Sequence, residues 1–183
     1  YIINAMKCVL LAGGLGTRLS EETNLIPKPM IEIGGKPILW HIMKHFSVYG
    51  ITEFVICAGY KANILKDYFL NYKANNSSLH INLESNEVVF EDSGNEPWKV
   101  SIIDTGLETN TGGRLKLIEK YIEEDQFLMT YGDGVGNVNI DELIKFHGTH
   151  KKLVTLTATI PEGRFGAINI ENDKVVSIKE KLD

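Results

Sequence analysis

Short apolar runs alternate with helically spaced apolar residues along most of this chain, and that alternation limits its fold more than any other feature. Lys7 to Ala12 reads as a first buried strand. Ile38, Leu39, Ile42, Met43 and Phe46 then recur at helical spacing within Pro37 to Tyr49, with Gly50 as a stop. The pattern repeats: Phe54 to Ala58 reads as a strand, and Ile64, Leu65, Tyr68, Phe69 and Tyr72 stripe the next helix. Leu79 to Glu84, Val88 to Glu91 and Val100 to Asp104 are shorter alternating segments separated by turn residues, which predicts an antiparallel excursion. A helix over about Gly113 to Ile122 leads to the strand Phe127 to Tyr131, and Asn139 is placed to cap a helix carrying Ile140, Leu143, Ile144 and His147. Leu153 to Ile160, Ala167 to Ile170 and Lys174 to Ile178 all read as strands. Strands alternating with helices predict a three-layer, Rossmann-like α/β fold on a mainly parallel sheet with a small antiparallel excursion.

At 183 residues the chain suits one sizeable core, so residues 6–183 are expected to form a single domain. Tyr1 to Ala5 read as a vector-derived remnant ahead of Met6, and the end in KVVSIKEKLD, in mid-strand pattern, predicts a fragment or a naturally short version of something longer. The formal net charge of -5 argues against an extended nucleic-acid or anionic-membrane surface. No apolar stretch nears the roughly 20 residues that span a bilayer. Cys8 and Cys57 each sit within an apolar run, as small buried hydrophobes do, which predicts a reduced cytoplasmic protein without a disulfide framework.

The first strand runs straight into Gly13, Gly14 and Gly16, followed by Thr17 and Arg18, and Lys28 stands between Pro27 and Pro29. In an open parallel sheet the loop after the first strand is a favoured ligand position. Glycines there admit backbone N–H groups close to a phosphate, and a guanidinium offers its oxygens a planar fork. Glycines alone serve equally as a tight turn; the arginine favours phosphate. The loop is not a P-loop, which needs Lys then Ser or Thr after its last glycine, and not a dinucleotide fingerprint, which needs glycine at Leu19.

AGGLGTRL followed by PKPM resembles the signature of the sugar-phosphate nucleotidylyltransferases. EIGGKPILWHIMKHFSVYGI, EPWKVSIIDTG, TGGRLK, TYGDGV and LTATIPEGRFGAI extend the resemblance over Met6 to Lys181, nearest to the glucose-1-phosphate cytidylyltransferases. The resemblance implies transfer of a cytidylyl group from CTP to glucose 1-phosphate with release of pyrophosphate, Mg²⁺ as cofactor, and a homo-oligomer. It places Gly13, Gly14, Gly16, Thr17 and Arg18 around the triphosphate and Lys28 on its phosphates, with Arg18, Lys28 and Asp133 catalytic. Thr111, Gly112 and Gly113 match the cytosine pocket, Asp133 the metal aspartate, and Gly166, Glu180 and Lys181 the sugar-phosphate site. Ile26 and Leu182 stand where the family usually has lysine and proline, and a second metal aspartate is expected beyond Asp183.

Transfer at an α-phosphorus unites two polyanions, so cations must neutralise both, and no covalent nucleophile is needed. Read without the resemblance, Gly132-Asp133-Gly134 is an Asx turn, and backbone groups at Thr111 to Gly113 leave cytosine and uracil equally open. His41 and His45 beside Lys44 read as a solvated face rather than a metal pair, and Glu119, Glu123, Glu124 and Asp125 as a solvated patch. Uridylyl or thymidylyl transfer on the same fold, and a non-catalytic nucleotide-binding module, stand as alternatives.

Overall fold

The computed structural model describes residues 6–14, 26–91, 95–159 and 167–179. The chain divides into two compact units, Tyr1–Gly136 and Asn137–Asp183.

The first unit is built on four parallel strands, β1 (Lys7–Leu11), β4 (Glu53–Ala58), β7 (Lys99–Asp104) and β8 (Leu128–Tyr131), in the spatial order β7-β4-β1-β8. Between β1 and β4 lie a small ribbon, β2 (Glu32–Ile33) with β3 (Lys36–Pro37), and helix α1 (Ile38–Val48). Helices α2 (Ala62–Leu70) and α3 (Tyr72–Asn75) and the antiparallel hairpin β5 (Leu79–Asn82) with β6 (Glu87–Phe90) lie between β4 and β7. Helix α4 (Thr111–Ile118) lies between β7 and β8.

Strand side chains alternate across the sheet with period two, and both sets are apolar in β1 and β4, as a parallel sheet covered on both faces requires. Val9, Leu11, Val55 and Cys57 form one buried face, packed with Ile118 and Leu115 of α4 and with Ile103 of β7. On the opposite face Cys8, Leu10, Phe54 and Ile56 are at most 1% exposed. The apolar stripe of α1, Leu39, Ile42, Met43 and Phe46, is buried as its helical spacing predicts.

Three features of the first unit depart from the sequence reading. Val100 to Asp104 belongs to the parallel sheet as part of β7, paired with β4, so the antiparallel excursion contains only β5 and β6. A short alternating segment does not reveal the direction of its partner. The ribbon β2–β3 was not foreseen; it turns through Gly34 and Gly35 at φ 60° and 78°, the paired positive values that a two-residue primed hairpin turn demands. Glu124 is not simply part of a solvated patch, since it pairs with Lys7 at 3.1 Å.

The second unit contains helix α5 (Ile140–Thr149) and the antiparallel hairpin β9 (Ala167–Glu171) with β10 (Lys174–Lys179). Asn139 caps α5 as its position predicts, its side chain accepting from the Glu142 N–H at 3.1 Å. Leu153 to Thr159 does not form a strand: these residues are mostly exposed, Leu153 at 97%, and they pair with no described strand. Apolar alternation supplies the side chains for a sheet but not the neighbouring strand. Among the described residues no helix is long and apolar enough to cross a membrane.

Candidate active site

The order β7-β4-β1-β8 contains one reversal. The chain builds outward from β1 to β4 to β7 and then crosses to the other side of β1 to lay down β8. Loops leaving β1 and β8 therefore diverge, opening the crevice at which ligands bind in open α/β sheets. A cavity of about 360 Å³ occupies that crevice. Gly13, Gly14, Lys28, Thr111 and Asp133 line it, so the fold gathers residues spread over more than half the chain at one sheet edge.

Arg114, a residue the sequence reading did not single out, builds one wall. It is 6% exposed, on α4, and its guanidinium has no carboxylate partner among the described residues. Its Nη1 donates to Thr105 Oγ1 at 2.6 Å, to the Gly106 carbonyl at 2.9 Å and to the Ala58 carbonyl at 3.2 Å. Its Nη2 donates to the carbonyls of Gly13 at 3.1 Å and Leu107 at 3.3 Å. One side chain thus ties together the ends of β1, β4 and β7. Thr105 completes the knot, donating through N–H at 2.9 Å and Oγ1 at 2.7 Å to the Ala58 carbonyl. Charged donors make stronger hydrogen bonds than neutral ones, and a buried cation is tolerated only when so satisfied.

This knot explains two glycines. A Cβ on Gly13 would lie 2.1 Å from Arg114 Nη1, and one on Gly59 would lie 2.7 Å from the carbonyls of both Gly106 and Gly13. Gly14 differs: among the described residues nothing lies within 4 Å of where its Cβ would be, although it too lines the cavity. Internal packing accounts for Gly13, and it leaves Gly14 unexplained. Gly112 and Gly113 do not line the cavity; they form the first turn of α4, where Gly113 leaves room for Thr109 Cγ2, 2.8 Å from its would-be Cβ. Thr111, at the start of α4, does face the cavity and presents it with a helix N-terminus, a favourable position for negative charge.

The opposite wall carries Lys28 and Asp133, while Glu108 lines the cavity beside Leu107 and Thr109. Lys28 opens a 3₁₀ turn, Lys28–Met30, anchored by buried Pro29 and Met30 and closed by the Met30 N–H to the Pro27 carbonyl at 2.8 Å. Asp133 follows β8. The preceding Gly132 donates its N–H to the Leu11 carbonyl at 2.9 Å and is packed against Ala12 and Pro29, so Asp133 is held beside the end of β1. Its carboxylate is exposed in the cavity and makes no Asx turn with its neighbours. Burial pushes the Cys57 thiol on the Arg114 side up to about 11, although the nearby guanidinium lowers it, so it is a neutral packing group at pH 7. Gly16, Thr17, Arg18, Gly166, Glu180 and Lys181 lie outside the described residues. His41 is not paired with His45 toward a metal; its Nε2 meets the Ile33 carbonyl at 2.8 Å.

A parallel sheet with a glycine-lined, mixed-charge cavity at its switch point defines an open α/β protein with a ligand crevice beyond its strand ends. Comparison with known proteins makes this specific: the chain belongs to the nucleotidyl transferase family, whose profile matches residues 7–182. It is 54% identical over 177 residues to glucose-1-phosphate cytidylyltransferase of Salmonella typhi, covering 96% of this chain and 69% of that one. It is 30% identical over 178 residues to D-glycero-alpha-D-manno-heptose 1-phosphate guanylyltransferase of Campylobacter jejuni, covering 97% of this chain and 69% of that one. Among solved structures, HddC from Yersinia pseudotuberculosis complexed with GMP-PN superposes with a TM-score of 0.69 at 26% identity, over 96% of this chain and 69% of that one.

Proposed function

We propose that this chain transfers a cytidylyl group from CTP to α-D-glucose 1-phosphate, giving CDP-glucose and pyrophosphate for a deoxysugar branch of cell-surface polysaccharide. The observation that carries the reading is the switch-point cavity lined by Gly14, Lys28, Thr111 and Asp133 in a chain 54% identical to the Salmonella typhi enzyme. A single domain from Met6, acting in the cytoplasm as a homo-oligomer, belongs to the same proposal.

In this reading Gly13, Gly14, Gly16, Thr17 and Arg18 cradle the triphosphate, and Arg18 holds the departing pyrophosphate. Lys28 offsets charge growing near the α-phosphate, the electrostatic contribution that dominates reactions between two anions. Thr111 and the start of α4, with Gly112 and Gly113 behind it, orient the base. Gly166, Glu180 and Lys181 seat the sugar phosphate in line for attack, which converts a bimolecular encounter into a positioned one.

Asp133 fits a Mg²⁺ ligand by its chemistry: a hard carboxylate oxygen, exposed in a cavity that also presents a lysine. Among the described residues no group of three or more His, Cys, Asp or Glu could hold a metal. A single carboxylate matches Mg²⁺, which is usually held by one or two carboxylates together with substrate phosphates. When bound, the ion would neutralise phosphate charge.

Thermal unfolding with nucleotides at equal concentration tests the reading. Binding to the native state stabilises it by about 2.7 kcal/mol at a hundredfold excess over Kd. CTP is expected to raise Tm more than UTP, dTTP, ATP or GTP, and only with Mg²⁺ to full effect. Equal shifts for all five would leave family membership standing and remove the cytidine assignment.

A further inference from the structure

Thr155 stands between two histidines of the second unit. His147 Nδ1 lies 2.7 Å from its Oγ1, and His150 Nε2 lies 3.0 Å from the same atom. The rings meet edge to face with centroids 5.3 Å apart. One further contact fixes the direction of every proton. The Lys152 N–H donates to His150 Nδ1 at 3.1 Å, so that nitrogen carries a lone pair. A neutral His150 then has its proton on Nε2 and donates to Thr155, whose own hydroxyl proton is left for His147 Nδ1. The relay runs in one sense only: Lys152 N–H to His150, His150 to Thr155, Thr155 to His147. Because His150 presents an N–H rather than a lone pair toward Thr155, the pair as arranged is a hydrogen-bond relay and not a chelate.

We propose that this relay is a proton-sensitive latch, which fastens the turn 150–155 to the last turn of α5 while both imidazoles are neutral and releases it when His150 is protonated. The two rings are not equivalent. His147 lies in the last turn of α5, where helix carbonyls favour a positive charge. A proton on its Nδ1 is accommodated, since the Thr155 oxygen can accept from both rings once its hydroxyl rotates. A proton on His150 Nδ1 is not accommodated: it faces the Lys152 N–H, donor against donor. Phe146 meets His150 edge to face at 5.3 Å, exposed Lys151 and Lys152 adjoin it, and among the described residues no carboxylate pairs with either ring. The latch is therefore closed while His150 is neutral and opens when His150 takes up a proton.

Nitrogen-15 NMR of the imidazole rings, with hydrogen exchange of the Lys152 amide in the 183-residue chain, tests this. At pH 8 both rings should carry their proton on Nε2. Lys152 protection, corrected for intrinsic exchange, should fall at least tenfold between pH 8 and pH 5. Thr155→Val, of the same shape without the hydroxyl, should abolish the pH dependence, and Thr155→Ser should restore it. A His150 ring protonated on Nδ1 at pH 8 would overturn the proposal. So would Lys152 protection that is the same at both pH values in the parent, or an unchanged pH dependence in Thr155→Val.

Discussion

The two walls of the cavity are made by opposite means. On the Arg114 side both terminal nitrogens of the guanidinium are engaged with backbone carbonyls and the Thr105 hydroxyl, and glycines are present because no larger residue fits. On the Lys28 and Asp133 side the backbone is fixed by Pro29, Met30 and Gly132, while the charged groups themselves face the cavity. The first wall sets where the loops stand; the second offers charge to whatever enters. If the proposed function holds, fold stability and phosphate chemistry rest on different residues lining one cavity, and substitutions should separate them.

The largest effect is expected from breaking the first wall. Arg114→Met removes the charged donor of the part-buried Gly106 and Leu107 carbonyls and leaves the Gly13 carbonyl with the Tyr60 N–H at 3.3 Å; an acceptor left unpaired costs about 1–3 kcal/mol where it is buried. Denaturant unfolding should show a loss of about 3 kcal/mol or more, together with loss of nucleotide binding. Gly13→Ala should be destabilising for the same reason, since its Cβ would displace the guanidinium 2.1 Å away. The two changes share one contact, so the double variant should lose clearly less than the sum of the singles. Additive losses would mean that the knot does not connect these residues.

On the second wall, Asp133→Asn keeps the shape of an exposed side chain and removes its charge. Stability should stay within about 0.5 kcal/mol of the parent. Steady-state pyrophosphate release should fall by about 10²–10³, the range for loss of a transition-state electrostatic contact. Turnover within twofold of the parent would remove Asp133 from the chemistry.

The smallest effect concerns pH. Cys57 behind the Arg114 wall is raised from its ordinary 9.0 to about 11 by burial, so the unfolded chain ionises first as the solution becomes alkaline. Its contribution to stability is complete below about pH 9 and is lost as pH rises through about 11. Chemical unfolding between pH 8 and 11 should show a decline that is shallower in Cys57→Ala. An identical slope in the variant would assign the decline to other groups.

The sheet strands and the long helices were legible because a covered parallel sheet writes itself as apolar runs and a buried helix as a stripe. Val9 and Leu11 of β1 and Leu39 to Phe46 of α1 show this directly. What escaped depends on partners distant in sequence. Val100 to Asp104 looks the same whether its neighbour is parallel or antiparallel, and Leu153 to Thr159 has the alternation of a strand without a described strand beside it. In the site, Gly13, Gly14, Lys28, Thr111 and Asp133 were visible from motif and position. Arg114 was not, because an arginine in TGGRLK reads as a surface helix residue until the carbonyls of three strand ends are seen to converge on it. The available signal was two glycines directly after strands, Gly13 and Gly59.

Gly14 separates the two walls most cleanly. Its backbone has no positive φ and no described residue lies within 4 Å of its would-be Cβ, so the described residues give no reason for a glycine there. If the cavity is the nucleotide site, that space belongs to the ligand. Calorimetric titration of Gly14→Ala with CTP and Mg²⁺, alongside its Tm, is therefore the decisive measurement. The account predicts a Tm equal to the parent's and a CTP affinity at least tenfold weaker, about 1.4 kcal/mol. Parental CTP affinity in a normally folded Gly14→Ala would contradict it and place the nucleotide elsewhere.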